Sequence, residues 1–385
     1  MDEQKRSPIL RWVYIATLIV VIGYAPLAIN YTWPLFSPGT PRLQDQLNTL
    51  INGRTYALGE GSVEAVRHDD YIRHRVMLLI HTTLGAIALI LAMFQFSARL
   101  RVMRPAIHRW TGRGYLALTT ISMLTALTYL IVTPAAKHFI GPAFETQLRG
   151  LAVFTLGSAW YGFYAIRRNR DMVSHRAWMT YSVAFMMTSP LLRVLWISLQ
   201  PVIPQHDLLT NTGAAALILG VAAPGAAALV FMLTQRDTPA PDARTVPVWV
   251  YLAIMALAAV GTVTYTAQCL RLPAPIPHTL AAFHLVPVAV TIAITLVGVR
   301  NARVRGDGGR EKQWRLLLLG FAAAPVATTL YALIIPPTFT VADGVLAGGM
   351  DGAVITITIA MAVVVRAAAG THPLPARATV AAGRS

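Results

Sequence analysis

Long apolar stretches recur along the chain and are separated by shorter polar segments. A helix needs roughly 20 apolar residues to cross the hydrocarbon core of a bilayer. Ten stretches reach or approach this length: 9–30, 76–97, 114–133, 150–166, 178–199, 212–233, 246–269, 279–299, 315–335 and 346–366. The fourth stretch is the shortest, and it reaches the length of a span only with its flanking residues. The pattern predicts an all-α fold, a polytopic transmembrane bundle of about ten helices.

Composition supports this fold class. The 385 residues are 55% hydrophobic and 12% charged, whereas soluble domains carry about 25% charged residues. This deficit is too large for a surface that faces water. No clear small-residue cleavage site follows the first span, so we expect it to be a retained helix and not a signal peptide.

The distribution of charge predicts an orientation. With the N-terminus placed inside, the inner segments hold 23 of the 32 Lys and Arg residues and seven of the 16 acidic residues. This bias is typical of cytoplasmic loops. We therefore expect a bacterial cytoplasmic (inner) membrane protein with both termini cytoplasmic. The net charge of +16 then indicates anionic lipid head groups at the inner face as the partner, and not nucleic acid.

The polar segments divide the chain into parts. We expect a six-helix N-terminal part over 1–235, a Pro-rich cytoplasmic linker over 236–245, a four-helix C-terminal part over 246–368 and a disordered tail over 369–385. The longest loop, 31–73, should form a small ordered cap with a short helix around 41–52.

Three matches in the same order indicate a parallel repeat of the first four and last four helices. Chance similarity between apolar segments is the alternative. The matches are residues 12–16 with 249–253, 126–134 with 329–337, and His81 and Trp110, 29 residues apart, with His284 and Trp314, 30 residues apart.

Two histidines lie inside spans, where ionisable groups indicate a functional site by default. His81 is in the second span and His284 in the eighth. Gly85 follows His81 by one turn on the same helix face, which leaves room for a flat macrocycle or for a close helix. If the repeat brings these helices together, both imidazoles are expected to be axial ligands of haem b. Otherwise each forms an interhelical hydrogen bond.

A second pair, His108 and His175, occurs at the inner ends of the third and fifth spans. Each is followed by Arg, with a Trp nearby. Helix N-termini attract anions, and Arg109 and Arg113 would add guanidinium donors for a haem propionate or a lipid phosphate. We expect the two histidines to hold a second haem or to orient a quinol. The alternative is an ordinary interfacial belt of aromatic and basic residues.

Two arginines lie on the predicted outer side. Arg193 is inside the fifth span and needs a partner, for which a haem propionate, a quinone head group and Asp351 are the candidates. Arg149 begins the fourth span, and it either neutralises a propionate or pairs with Glu145 one turn earlier. The lone cysteine, Cys269, excludes an intramolecular disulfide, and no CxxCH motif is present to attach haem covalently. A redox cofactor would therefore be held without covalent bonds.

The segment from about Ile72 to Leu199 resembles the bacterial predicted-membrane-protein family known as domain of unknown function 2306. The resemblance rests on His81 with Gly85, His108-Arg109 with Gly112-Arg113 and Tyr115, Trp160, His175 with Trp178-Met179, and Arg193. The family has no settled function to transfer. In the C-terminal part, Lys312-Gln313-Trp314 stands where a His-Arg-Trp motif would be expected.

Two functions from different classes follow from these patterns. The first is a b-type cytochrome-like membrane oxidoreductase that binds haem and performs transmembrane or quinol-linked electron transfer. The second is a cofactor-free transporter or lipid-handling protein, which parallel repeats and prolines within spans also suit. A role as an assembly partner of another membrane complex is a third possibility.

Overall fold

The computed structural model describes residues 8–134, 141–235, 247–272, 278–334 and 340–369, and within them all regular structure is helical. The α-helices are α1 Pro8–Asn30, α2 Leu43–Asn52, α3 Arg54–Leu58, α4 Val63–Arg73, α5 Arg75–Phe96, α6 Ala98–Met103, α7 Pro105–Val132, α8 Pro142–Asn169, α9 Met172–Met186, α10 Thr188–Leu199, α11 Leu208–Thr234, α12 Val248–Leu270, α13 Leu280–Val304, α14 Gly308–Ala322, α15 Ala324–Ile334 and α16 Val341–Ala369. The predicted polytopic helical bundle is confirmed.

Nine segments of the described chain are long and apolar enough to cross a membrane. They correspond to nine of the ten predicted spans, with α9 and α10 forming one segment and α14 and α15 another. The one predicted span that is missing from these nine is the fourth, at 150–166. It lies in α8, which has 28 residues and carries Glu145 and Arg149 near its start. Its apolar stretch is shorter for that reason, but α8 still packs inside the bundle against α9 and α16.

Prolines explain where two of the spans divide. Pro190 lies just inside α10 and Pro325 just inside α15. Proline lacks the amide proton for the bond to the preceding turn and its ring crowds that turn, so the helix is interrupted there. Pro224 and Pro287, in contrast, lie within the continuous helices α11 and α13.

The centre of the bundle is formed by α11 and α16. Helix α11 packs against α9, α10, α13 and α16, and α16 packs against α8, α11, α14 and α15. The largest apolar cluster accordingly joins both predicted parts of the chain, with Phe185 and Phe231 on one side and Phe321 and Ile357 on the other. The N-terminal and C-terminal parts therefore share one core.

Glycines allow the central helices to approach very closely. An ideal Cβ placed at Gly220 of α11 would lie 2.1 Å from the carbonyl oxygen of Met350 in α16. On another face of α16, a Cβ at Gly348 would lie 2.5 Å from the Thr328 carbonyl oxygen, and one at Gly352 would lie 2.5 Å from its Cα. Gly348 and Gly352 form the GxxxG spacing that permits close packing of membrane helices.

The segment between α1 and α5 forms an ordered cap of short helices. Helix α2 confirms the short helix expected around 41–52. Helix α4 begins with a side-chain cap, since Ser62 Oγ accepts a hydrogen bond from the amide of Ala65. It ends at His74, where α5 begins directly. The predicted linker at 236–245 lies outside the described residues, as does nearly all of the predicted tail, and the parallel repeat stays a prediction.

Candidate binding site in the N-terminal helices

A cavity of about 220 Å³ lies among the N-terminal helices. Its walls come from α1, α4, α5, α7, α8, α9, α10 and α11, and no residue after Leu219 lines it. Leu, Met, Ala and Phe side chains form most of the wall, with His81 and Thr82 on α5 and two arginines and four tyrosines toward the cap. The cavity is thus apolar along its length and polar at one end.

Arg193 anchors the polar end of this cavity. Its guanidinium carbon lies 5.6 Å from the ring centre of Tyr24, 5.5 Å from Tyr31 and 5.4 Å from Trp196. Nη1 donates to the carbonyl oxygen and to the hydroxyl of Ser189, each at 3.0 Å. The aromatic faces stabilise the cation, and no carboxylate of the described chain forms an ion pair with it. Asp351, one of the three predicted partners, is not bonded to Arg193.

Arg67 of α4 is the second cation in the cavity wall. Its side chain is almost fully buried, with 6% of its surface exposed, and its Nε has no hydrogen-bond partner among the described residues. Burial lowers the pKa of the Arg67 guanidinium and raises that of the neighbouring Tyr71 hydroxyl, but an arginine keeps its charge in proteins. Tyr71 stacks edge-on against Tyr31 and Tyr129, with ring centres 6.3 Å apart in both pairs.

His81 is held in a fixed orientation within the wall. Its Nδ1 lies 3.0 Å from the carbonyl oxygen of Ser122 on α7, and the Ser122 hydroxyl donates back to the His81 carbonyl at 2.8 Å. A carbonyl only accepts, so Nδ1 carries the proton of the neutral ring. Nε2 is then a free acceptor, and it has no partner among the described residues. Gly85, one turn away, also lines the cavity, as expected from the sequence.

His284 lies in a different environment. It is fully buried, with its Nε2 3.1 Å from the Thr328 hydroxyl and its ring centre 5.1 Å from that of Tyr265. It does not line the cavity beside His81. The structure therefore does not bring His81 and His284 into one slot, because α13 packs mainly with α11 and α14 while α5 packs with α1 and α7. His138, which follows α7 and could also partner His81, lies outside the described residues.

His108 and His175 lie at the other end of the same helices. They are close enough to interact electrostatically. His175 Nδ1 is 2.9 Å from the carbonyl oxygen of Gly162, which leaves its Nε2 free, and His108 Nδ1 is buried without a hydrogen-bond partner among the described residues. A ligand shared by the two histidines stays a prediction. Neither ring lines the cavity near the cap.

The remaining predicted arginines are surface residues. Arg109 and Arg113 are exposed near the start of α7, and the Arg113 guanidinium stacks over Trp110 at 5.1 Å. Arg149 forms the predicted ion pair with Glu145, and its side chain is 49% exposed. Arg149 is absent from the cavity wall, so of the two predicted outer arginines only Arg193 reaches the site.

Several residues of the polar end were not anticipated as site residues. Arg67 and Tyr71 of α4 and Tyr129 of α7 share a cavity wall with Arg193 only because of the tertiary fold, whereas Trp196 lies three residues after Arg193 on α10. The one signal in the sequence was the charged stretch at the end of the cap, which includes Arg67. Within the described residues, no three His, Cys, Asp or Glu side chains are close enough to hold a metal ion.

Comparison with known proteins finds a family match over part of the chain and no function. No curated protein and no solved structure matches the chain. One family model matches residues 78–234, from α5 to α11. This region includes His81, His108, His175 and Arg193, but neither Arg67 nor His284. It confirms the resemblance found in the sequence and extends it through α11. Residues 78–234 match the family described as "Predicted membrane protein (DUF2306)".

Proposed function

We propose that the cavity binds the head group of a quinone and that the protein takes part in quinol-linked electron transfer. The observation that carries this proposal is His81, whose Nδ1 is fixed on the Ser122 carbonyl while Nε2 is left without a partner beside an apolar cavity. This arrangement suits a single directed hydrogen bond. A quinol hydroxyl would donate to Nε2, so His81 would accept its proton when the quinol is oxidised.

The size and polarity of the cavity support a single-ring head group. Ligand pockets for drug-sized molecules have volumes of about 300–1,000 Å³, whereas this cavity has about 220 Å³. A porphyrin beside His81 would need a larger space and a second axial ligand, and His284 does not supply one. The tyrosines and Arg193 would donate hydrogen bonds to quinone oxygens, and the leucine and methionine walls would contact the ring and its apolar tail.

The pair His108 and His175 is the second candidate for haem b. An imidazole that binds a metal commonly has its other ring nitrogen hydrogen-bonded to a carbonyl oxygen. His175 Nδ1 has such a bond to Gly162. The buried, unpartnered Nδ1 of His108 is a further nitrogen available in this pair. A haem held here would supply a one-electron redox centre. The exposed Arg109 and Arg113 would then be available to its propionates.

The finer localisation also belongs to this proposal. The excess of Lys and Arg near His108 and His175 supports a cytoplasmic position for that end of the bundle. The cap and the polar end of the cavity would then face outward in a bacterial inner membrane. Anionic lipid head groups would contact the basic inner face.

The alternative, a cofactor-free lipid-handling protein or transporter, has one observation in its favour. Arg67 and Arg193 are two cations in one cavity, and the described residues provide no carboxylate that forms an ion pair with either. An anionic lipid head group would neutralise them, with its chains along the apolar wall. The ligand recovered from the purified protein distinguishes a lipid from a quinone.

The test is extraction of bound ligands from the full-length protein purified in detergent. We expect mass spectrometry to detect a stoichiometric quinone in the wild type. His81→Ala should retain about tenfold less, because one lost hydrogen bond is worth about 1.4 kcal/mol. The matched control is His278→Ala, which removes an exposed histidine of the C-terminal part and should retain wild-type amounts.

Two outcomes would contradict the quinone assignment. Recovery of an anionic lipid in place of quinone would support the alternative function, and equal quinone retention in both histidine variants would remove His81 from the site. The haem is tested separately by the visible spectrum. A Soret band that is lost in both His108→Gln and His175→Gln would support the pair, and a wild-type protein without such a band after growth with ample haem would exclude it.

A further inference from the structure

A buried carboxylic acid lies in the C-terminal half of the bundle, outside the site described above. Asp351 was expected near the start of the last span, at 346–366. The structure begins α16 at Val341, so Asp351 is ten residues inside the helix, or about 15 Å along its axis. The hydrocarbon core of a bilayer is about 30 Å thick. Asp351 therefore lies near the middle of a membrane-spanning helix.

Close packing of helices shields this side chain from water. Only 8% of Asp351 is exposed, and its Oδ2 has no hydrogen-bond partner among the described residues. The Tyr331 hydroxyl of α15 lies beside the carboxyl group. From the other side, Oδ1 would lie 3.4 Å from a Cβ added at Gly150 of α8. The neighbouring Met350 is held against Gly220 of α11 by the backbone contact described above.

No cation neutralises Asp351 within the described residues, where it forms no ion pair. Helix α11 carries no charged or histidine residue. The ionisable groups on the helices packed around α16 are Tyr331 on α15, Glu145, Arg149, Tyr161, Tyr164, Arg167 and Arg168 on α8, His175, Arg176 and Tyr181 on α9, Tyr251, Tyr265 and Cys269 on α12, His284, Arg300 and Arg303 on α13, and Arg310, Glu311, Lys312 and Arg315 on α14. Glu145 pairs with Arg149, and Tyr181 bonds to Thr358. Tyr331 alone among these groups interacts with the carboxyl.

We propose that Asp351 is a proton-binding site in the membrane interior. An unpaired carboxylate at this depth carries a large desolvation cost, and protonation removes it. The carboxylate takes a proton from solvent, forming an O–H bond, and is a neutral acid at neutral pH. Gly150 is the point of access, since it is not fully buried and its neighbours Gln147 and Leu151 line the cavity. This inference does not depend on the quinone site.

Infrared difference spectroscopy of the full-length protein tests the proposal, in a detergent without ester carbonyl groups. We expect the wild type at neutral pH to show the C=O stretch of a protonated carboxylic acid, which shifts in D2O and disappears at alkaline pH. Asp351→Asn should lose this band. The control Asp343→Asn makes the same change near the start of α16, where Asp343 already bonds to Thr340, and should keep it.

A second variant keeps the test decisive if Asp351→Asn does not fold. Tyr331→Phe retains the acid and removes its hydroxyl neighbour, so the band should persist at a shifted frequency. A folded wild type without the band at neutral pH, a band that does not exchange in D2O, or a band unaffected by both substitutions would overturn the proposal. Loss of the wild-type band on addition of Na⁺ at constant pH would also overturn it, since the site would then bind a metal cation.

Discussion

The close contact between α11 and α16 can be tested by adding one methyl group. In Gly220→Ala, the new Cβ would lie 2.1 Å from the carbonyl oxygen of Met350. An ordinary contact begins at 3.4 Å, so α11 and α16 would have to separate locally by about 1.3 Å (3.4 minus 2.1). The obstructing atom belongs to the backbone and cannot rotate away. Met350 is fully buried.

The expected cost follows from the energetics of overpacked cores. An extra methyl group in a well-packed interior costs about 1–3 kcal/mol. The matched control is Gly157→Ala in α8, where a Cβ would meet nothing within 4 Å. At such an open position in a helix, alanine is about 0.5–1 kcal/mol more favourable than glycine. The two variants should therefore differ in unfolding free energy by about 1.5–4 kcal/mol.

The assay is equilibrium unfolding of the purified protein in mixed micelles, followed by circular dichroism. We expect Gly220→Ala to unfold at a lower denaturant fraction than the wild type and Gly157→Ala to unfold at the same or a higher one. Equal stability of the two alanine variants would refute the close approach of α11 and α16. The same result would contradict the close packing of helices around Asp351.

Two further predictions concern the cavity and the topology. Arg193→Gln should weaken retention of the bound ligand about 10- to 100-fold, as expected for a hydrogen bond to a charged group. Arg149→Gln should not weaken it, because Arg149 does not line the cavity. Ligand extraction measures both variants, and equal losses would contradict the assignment of Arg193 to the site. A topology reporter fused after Asp237 should be cytoplasmic and one fused within 40–65 external, and the opposite result at either site would reverse the proposed orientation.

The predictions for His81 and His284 show where sequence reasoning succeeds and where it does not. The sequence predicted that His81 and Gly85 share a helix face, because they are one helical turn apart. It did not predict which helix packs against that face, since apolar helices in a membrane offer few sequence signals for choosing a partner. His81 bonds to Ser122 and His284 contacts Thr328, so each forms its hydrogen bond within its own half of the chain.

The sequence by itself determined that the chain is a multi-pass helical membrane protein, part of which resembles a known family. The hydrocarbon core requires each spanning segment to satisfy its own backbone hydrogen bonds, which leaves an apolar α-helix as the solution for each long apolar run. The tertiary structure decided the rest. It placed Arg67 and Arg193 in the wall of one cavity and buried Asp351 among helices from both halves, because side-chain neighbours across helices depend on packing geometry that no local pattern encodes.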